Sequence, residues 1–408
     1  MQLDLATMRT DASENIRPPG ESYPGERTKP IHVLQILGDP VGGIRKHVHG
    51  VILGLSPRSY LSSYAHGSNP DGSFAGEIDT IREHTLKTLA LTVRKRPRPS
   101  DLRNLAVLAR YIRASGVEIV HGHGAKGGVY ARVVSRLCGI KSIYTPHGGS
   151  VHPMFSPAEN LLYQITEKAL LPLTDILLFE SRYSAQTYRE RVGKEPRRWI
   201  VNHNGVSIPD EKAIARRAQE LAYRSRFQGT FQVGILGTLR HQKGQAFGIQ
   251  AVGELVRDGV PLMLHVYGDG PDRDTLEQLS RDVGLGERVH FHGHVTDTAA
   301  HMYCLDLVVV PSRFESFGYV AVEAMSLHKP VIAAGVGGLL EIIENGRTGL
   351  LVEPGNVEQL KSAIGFCFDN EQARVQFADL GYQRFRQEFT YDQMMGNICH
   401  VYRELAGR

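Results

Sequence analysis

The sequence is short of cysteine, has a single tryptophan and contains no long apolar run. Its four cysteines, Cys138, Cys304, Cys367 and Cys399, stand far apart and form no C-x-x-C pair. That spacing supports neither a structural zinc site nor a disulfide framework, and it suits a reducing compartment. No stretch reaches the roughly 20 apolar residues that span a bilayer, and the N-terminus has no apolar core of a secretory signal. Net charge is only +4 over 408 residues, too dilute for a dedicated nucleic-acid binder. The densest basic run, VRKRPRPSDLR at 93–103, has no stacking aromatics beside it. It reads as a solvated loop, with a membrane-surface or anion contact left open. A complete G-x-G-x-x-G is also missing, so a dinucleotide fingerprint is not supported. The expected location is cytoplasmic, with peripheral contact at the inner face of a membrane left open.

What is present is enough apolar sequence for two cores: 41% hydrophobic residues in a chain twice the usual domain length. Residues 1–29 mix charge, Pro and Gly and read as a disordered tail. From there, β-rich runs alternate with helical patterns. IHVLQIL (31–37), VEIVHGHG (117–124) and KSIYTPHGG (141–149) read as strands running into loops. DLRNLAVLARYIRASG (101–116) and GGVYARVVSRLCG (127–139) read as helices ending at glycine. The second half repeats the pattern in FQVGILGTL, LMLHVYGDG, VHFHGHV, LDLVVVPS and PVIAAGVGG. This alternation predicts an α/β protein of two doubly wound, Rossmann-like domains, each with a parallel sheet. The expected division is 30–208 and 209–388, with a hinge near 202–217 and a last helix, 389–408, packing back on the first domain. Ligands of such sheets bind past the carboxyl ends of the strands, so two facing domains would share a cleft.

The candidate residues fall on those loops. ESFGYVAVE places Glu315 before a helix expected at 319–329 and Glu323 one turn inside it. A buried carboxylate needs hydrogen-bond donors. A sugar diol and a structural salt bridge both supply them, and Glu323 taken alone favours the salt bridge. The separation of Glu315 and Glu323, about 12 Å along a helix, disfavours a glycosidase pair acting on one bond. In GTLRHQKG, Arg240 and Lys243 follow a strand, where two cations suit a diphosphate and equally a solvated loop. Gly42 and Gly43 after the first strand, and Gly268 in YGDGP, allow close approach to an anion, although many strand–helix loops carry such glycines. His121, His123 and His147 stand at strand ends, with Lys126 nearby as a phosphate contact. His-x-His suggests metal only weakly, because no acidic third ligand lies close in sequence. Hydrogen bonding to sugar or phosphate is preferred, and no metal ligand is assigned. DRD (272–274) opens a helix after Pro271, where aspartate suits the helix dipole.

In order, GG after the first strand, TPHG, NHNGV, LGTLRHQKG, YGDGP, PSRFESFGYVAVEAM, GGLLEII and GLLVEPGN resemble glycosyltransferase family 4. Those are retaining, two-domain sugar transferases of GT-B fold, and the likeness runs from about residue 30 to the C-terminus. It implies that Glu323 holds the donor's ribose hydroxyls and Glu315 the transferred sugar, with backbone N–H groups around Phe317 and Gly318. It implies Lys243 on the diphosphate, Gly43 packed against the phosphates, and His147 reaching the sugar across the cleft. The family usually has arginine where this chain has Thr238, and Arg240 is the substitute cation at hand. The implied reaction is same-face transfer from a nucleotide-diphosphate sugar, with the leaving phosphate as base. The acceptor would be a glycan or polyprenyl-diphosphate-linked glycan, as in bacterial surface polysaccharide synthesis. No cofactor or metal is strictly required, and nucleic acid is not a partner. A sugar-nucleotide epimerase and a non-catalytic sugar-nucleotide-binding protein are the rival expectations.

Overall fold

The computed structural model describes residues 29–68, 75–94, 96–148, 156–221 and 229–408. The tail expected at 1–29 lies outside the described residues, apart from Lys29. Two parallel sheets form the frame. In the first, β1 (Ile31–Leu37), β2 (Tyr60–His66), β3 (Thr88–Ala90), β4 (Ile119–His123), β5 (Lys141–Thr145), β6 (Ile176–Phe179) and β7 (Trp199–Val201) lie in the order 3-2-1-4-5-6-7. In the second, β8 (Phe231–Leu236), β9 (Leu262–Tyr267), β10 (Val289–Gly293), β11 (Leu307–Val310), β12 (Val331–Ala334) and β13 (Leu350–Val352) lie in the order 10-9-8-11-12-13. The strand pairings are parallel, and parallel neighbours need crossover connections. Helices supply these and cover both faces, which is why the central strands are buried and mostly apolar. Of the polar exceptions, Gln35, His121 and His123 are hydrogen-bonded to one another or to Thr145 and Tyr402. β1, β8, β9 and β11 are buried along their whole length.

Each strand order reverses beside its first strand, between β1 and β4 and between β8 and β11. The crevice at such a reversal, past the carboxyl ends of the strands, is where open α/β sheets take ligands. It is also where the sequence carries its candidate loops.

The last helix, Tyr391–Leu405, belongs to the first sheet. Thr390 caps it in a reciprocal pair with Gln393. Met394, Met395, Ile398 and Val401 pack against Ile31, Val33, Val51 and Ile119. Each such side chain stabilises by roughly 1.5–3 kcal/mol when fully buried. Val206 and the segment leading into this helix run side by side, with Val206 N–H on the Phe389 carbonyl at 3.0 Å and Tyr391 N–H on the Val206 carbonyl at 2.9 Å. The chain therefore crosses between the two sheets twice at one place.

Several boundaries differ from the sequence reading for identifiable reasons. The helix expected at 127–139 runs Gly124–Cys138, because the chain turns from β4 directly into it. The helix expected at 319–329 ends at Ser326, and His328 then takes a left-handed φ of 52° ahead of Pro330. β2, β6 and β7 give no clear signal in sequence. YLSSYAH mixes polar with apolar residues, and ILLF and WIV are too short to show a period.

The first domain also buries a full ion pair. The Arg132 guanidinium donates to Glu167 at 2.6 and 3.2 Å, with both side chains almost fully buried. Tyr188 and Tyr144 donate to the same carboxylate at 2.8 and 3.2 Å, and Arg132 Nε donates to the Gly128 carbonyl at 2.9 Å. Removing one partner leaves an uncompensated buried charge. Glu167→Ala should therefore cost about 3–5 kcal/mol in urea unfolding, whereas the double change Arg132→Met with Glu167→Leu should cost less. Equal losses in the single and double variants would contradict the pairing.

Candidate active site in the cleft

On the second domain, the loop from β11 leads through Glu315 into the helix Tyr319–Ser326. Gly337 and Gly338 hold this loop from behind. Gly338 N–H donates to the Glu315 carbonyl at 3.0 Å. A Cβ on Gly337 would stand 1.8 Å from that same oxygen, and its φ is +55°. Both sterics and backbone conformation therefore demand glycine at 337. The turn His241–Lys243 is fastened to the same loop, because the Arg313 N–H donates to the Gln242 carbonyl at 2.9 Å. Gly244 backs onto the Pro311 carbonyl, 2.0 Å from where a Cβ would sit. These clamps put Lys243 Nζ 2.6 Å from Glu315 Oε2, with Ser312 Oγ donating at 3.3 Å.

Eight positions on, Glu323 pairs with a different lysine. Lys46 of the helix Gly42–Gly54 crosses from the first domain to Glu323 Oε1. Its Nζ lies 5.3 Å from the centre of the Tyr319 ring, and a Cβ at Gly43 would lie 3.2 Å from Tyr319 Cδ2. Sequence reasoning singled out Gly43 and missed Lys46. The signal was the three-residue spacing, which sets both on one helix face.

The opposite wall is a network of imidazoles. His123 Nε2 bonds to Gln35 Oε1 at 2.9 Å, and its Nδ1 lies 3.2 Å from His147 Nε2. His121 bonds to Thr145 Oγ1 at 2.9 Å and to Tyr402 Oη of the last helix at 2.8 Å, and Gln35 Nε2 donates to the same phenol at 2.8 Å. Burial pulls His121, His123 and His147 well below the usual imidazole range and brings His47 to about 4. His147 has φ 52°, an uncommon conformation for a non-glycine residue. His47 was not singled out from sequence, being 76 positions from His123. It joins His123 and His147 so that one ring nitrogen of each lies within 4.8 Å of the others. The fold thus brings a third imidazole to the pair, although no acidic group joins them among the described residues.

Near the two crossings a polar clasp joins the domains. Glu341 accepts the N–H groups of Arg182 and Tyr183 at 2.9 and 2.7 Å and lies 3.2 Å from His203 Nε2. Burial opposes its ionisation, but those bonds outweigh burial and hold the carboxyl below its ordinary range. Ser181 Oγ donates to the Ser316 carbonyl at 2.6 Å. Beside it Glu180 is buried at the end of β6, accepting from Ser184 Oγ at 2.8 Å on one oxygen. Its other oxygen has no hydrogen-bond partner among the described residues. Neither Glu180 nor the role of Glu341 across the cleft was read from sequence.

The remaining expected residues are less uniform. Arg240 is exposed at the start of its turn, and exposed Thr238 offers its carbonyl to Gln245 Nε2 at 2.9 Å. Gly268 N–H donates to the Gly293 carbonyl at 2.8 Å, so that loop fastens β9 to β10. Gly42 begins its helix and Gly318 precedes the helix of Glu323. Phe317 is buried and packs its ring near His203, Tyr319 and Phe389. Lys126 is tied to Asp101 at 2.7 Å rather than held out toward a phosphate. His121 is buried in its network. A cavity of about 420 Å³ lies beside the Lys46–Glu323 pair, with Val206, Asp210, Thr298 and Met302 in its wall.

Two family models match in succession: "Glycosyl transferase 4-like domain" over residues 42–205 and "Glycosyl transferases group 1" over residues 220–384. The α-D-kanosaminyltransferase of Streptomyces kanamyceticus is 30% identical over 322 residues, covering 75% of this chain and 81% of that protein. The D-inositol 3-phosphate glycosyltransferase of Rhodococcus erythropolis is 28% identical, covering 71% and 68%. A crystal structure of Anabaena Alr3699/HepE in complex with UDP superposes with a TM-score of 0.76 at 22% identity, covering 92% of this chain and all of that one. These likenesses agree with a GT-B arrangement of the two sheets.

Glu180 yields a pH prediction. Burial pushes its carboxyl from 4.5 up to about 7. The folded state therefore holds this proton more tightly than the unfolded chain, and stability from it is lost as pH rises from about 4.5 through 7. Glu180→Gln should match the parent at pH 5 and exceed it by about 3 kcal/mol at pH 8 in urea unfolding. A difference that stays flat between those pH values would refute the assignment.

Proposed function

The chain belongs to the glycosyl transferases of group 1, with a glycosyl transferase 4-like first domain, and from that premise we propose that it moves a hexose-type sugar from a nucleotide-diphosphate sugar to a glycan or lipid-linked acceptor with retention of anomeric configuration. The observation that carries this reading is the pair of lysine-bound carboxylates, Lys243–Glu315 and Lys46–Glu323, set along one loop and helix facing the histidine wall. Two separated carboxylates suit the two ends of a nucleotide sugar. Glu323 takes the ribose diol once Lys46 moves aside, and Glu315 takes hydroxyls of the sugar. Anabaena Alr3699/HepE, of similar fold, has a crystal structure in complex with UDP-glucose, which supports a nucleotide-sugar donor here.

The chemistry follows from where charge develops. Breaking the bond from sugar C1 to phosphate leaves positive charge on the ring and negative charge on the diphosphate. Lys243 is poised at the carboxyl end of β8 to meet the leaving charge, with exposed Arg240 beside it as a planar second donor. The Phe317 and Gly318 N–H groups have no backbone acceptor among the described residues and stand at the start of a helix, where an anion is favoured. His147 meets the sugar from the opposite wall through Nδ1, since its Nε2 is turned to His123. No protein nucleophile is assigned. The acceptor hydroxyl attacks on the face the diphosphate leaves, and its proton passes to a diphosphate oxygen. No metal or other cofactor enters these steps. Among the described residues no helix is long and apolar enough to cross a membrane. We propose a cytoplasmic enzyme of surface polysaccharide synthesis.

A panel of nucleotide sugars should single out one donor by thermal shift, since a ligand at a hundredfold excess over Kd stabilises by about 2.7 kcal/mol. With that donor, Lys243→Ala should lower kcat/KM by roughly 10² or more. Glu323→Gln should raise the donor KM while leaving the melting temperature near that of the parent. NMR of the product should show the donor's anomeric configuration. An inverted product, an isomerised sugar formed without acceptor, or near-normal kinetics in Lys243→Ala would each overturn part of this reading.

A further inference from the structure

We infer that His47, His123 and His147 form a binding site for one divalent transition-metal ion of the zinc type. Three observations converge. First, the spacing is that of a shared ion. Metal–nitrogen bonds of about 2.0–2.1 Å in a tetrahedron leave the nitrogens about 3.3 Å apart and the ring centres about 5 Å apart. His123 Nδ1 and His147 Nε2 lie 3.2 Å apart, one ring nitrogen of each of the three histidines lies within 4.8 Å of the others, and the three ring-centre separations are 5.0, 5.5 and 5.6 Å.

Second, the outer partner is in place. Gln35 Oε1 bonds to His123 Nε2 at 2.9 Å. A carbonyl oxygen can only accept, so Nε2 carries the hydrogen and a neutral His123 presents the lone pair of Nδ1 to the other rings. A ligating histidine usually gives its second N–H to such an acceptor. Gln35 is itself fixed by Tyr402 Oη at 2.8 Å. Third, His47 Nδ1 and Asn204 Oδ1 are both buried with no hydrogen bond at full strength among the described residues, and the Asn204 side chain faces the His47 ring, where its amide oxygen can hold one N–H while the other ring nitrogen meets an ion. The set is also chemically apt. Imidazole nitrogen suits zinc, cobalt, nickel and copper rather than magnesium. Three histidines with an open fourth position make a recognised zinc ligand set. The ligands come from the helix Gly42–Gly54, the end of β4 and the loop after β5, so an ion would bind three elements of the first domain together.

The test uses tag-free, chelator-treated full-length protein. Co²⁺ titration should give the intense visible absorption of a four-coordinate ion at one equivalent per chain. Zn²⁺ should displace it and raise the melting temperature where Mg²⁺ does not. His47→Gln and His147→Gln should each abolish the absorption, and Gln35→Leu should weaken binding by roughly 10–100-fold. A second imidazole group, with His265 Nδ1 2.9 Å from His292 Nε2, provides the control: His292→Gln should leave the absorption intact. No Co²⁺ absorption in the parent would overturn the inference. So would absorption that survives both His47→Gln and His147→Gln, or that disappears with His292→Gln.

Discussion

The carboxylate of Glu341 fastens the second sheet's loops to the first. It reaches from the second domain to the first turn of the helix Arg182–Val192, takes two of the N–H groups that a helix cannot satisfy internally, and adds His203. A carboxylate there also meets the positive end of the helix dipole. Bonds of this charge-assisted kind contribute roughly 1.5–3 kcal/mol each, and water can replace them. The apolar seam at the double crossing cannot be exchanged in that way, because Phe389 is fully buried and the last helix fills the first core. The combination is an apolar seam beside a polar clasp. The other contacts across the cleft stand beside it: Ser181 on the Ser316 carbonyl, Lys46 on Glu323, and Gly148 so near Ser316 that a Cβ there would lie 3.0 Å from the serine Cβ.

Much of this was legible from single segments. Strand–helix alternation is a local signal, and it fixed the class of both domains. Glu315, Lys243 and His147 sit at strand ends, where topology alone makes a residue available to a ligand. The Gly337–Gly338 pair appears in sequence only as part of the GGLLEII motif. Its visible work in the fold is to accommodate the Glu315 carbonyl. What sequence could not give were partners from distant elements. Lys46 meets Glu323 across 277 positions, and Arg182 meets Glu341 across 159. Lys126 looked available in HGHGAKGG because Asp101, 25 positions back on another helix, was invisible as its partner. His47 shows the same limit from the other side. Proximity in sequence was a poor test for a third imidazole, because β4, β5 and the helix after β1 converge only at the sheet's reversal point.

The lysine pairs bear on how such a site accepts an anionic ligand. A carboxylate beside a lysine is already compensated, so neither group faces the low-dielectric cleft alone. On the proposed reading, a nucleotide sugar does not bring new charge into an empty space. Its diphosphate takes over Lys243 while its hydroxyls take over Glu315 and Glu323, so each group exchanges one partner for another. Such exchange yields little net energy per contact, and selectivity then rests on all contacts being replaced together. A ligand that offered phosphates without the sugar hydroxyls would take Lys243 and leave Glu315 uncompensated. The eight-residue separation of Glu315 and Glu323, held by the Gly337–Gly338 clamp at one end and a helix at the other, makes the site sensitive to the length of the donor as well as to its charge.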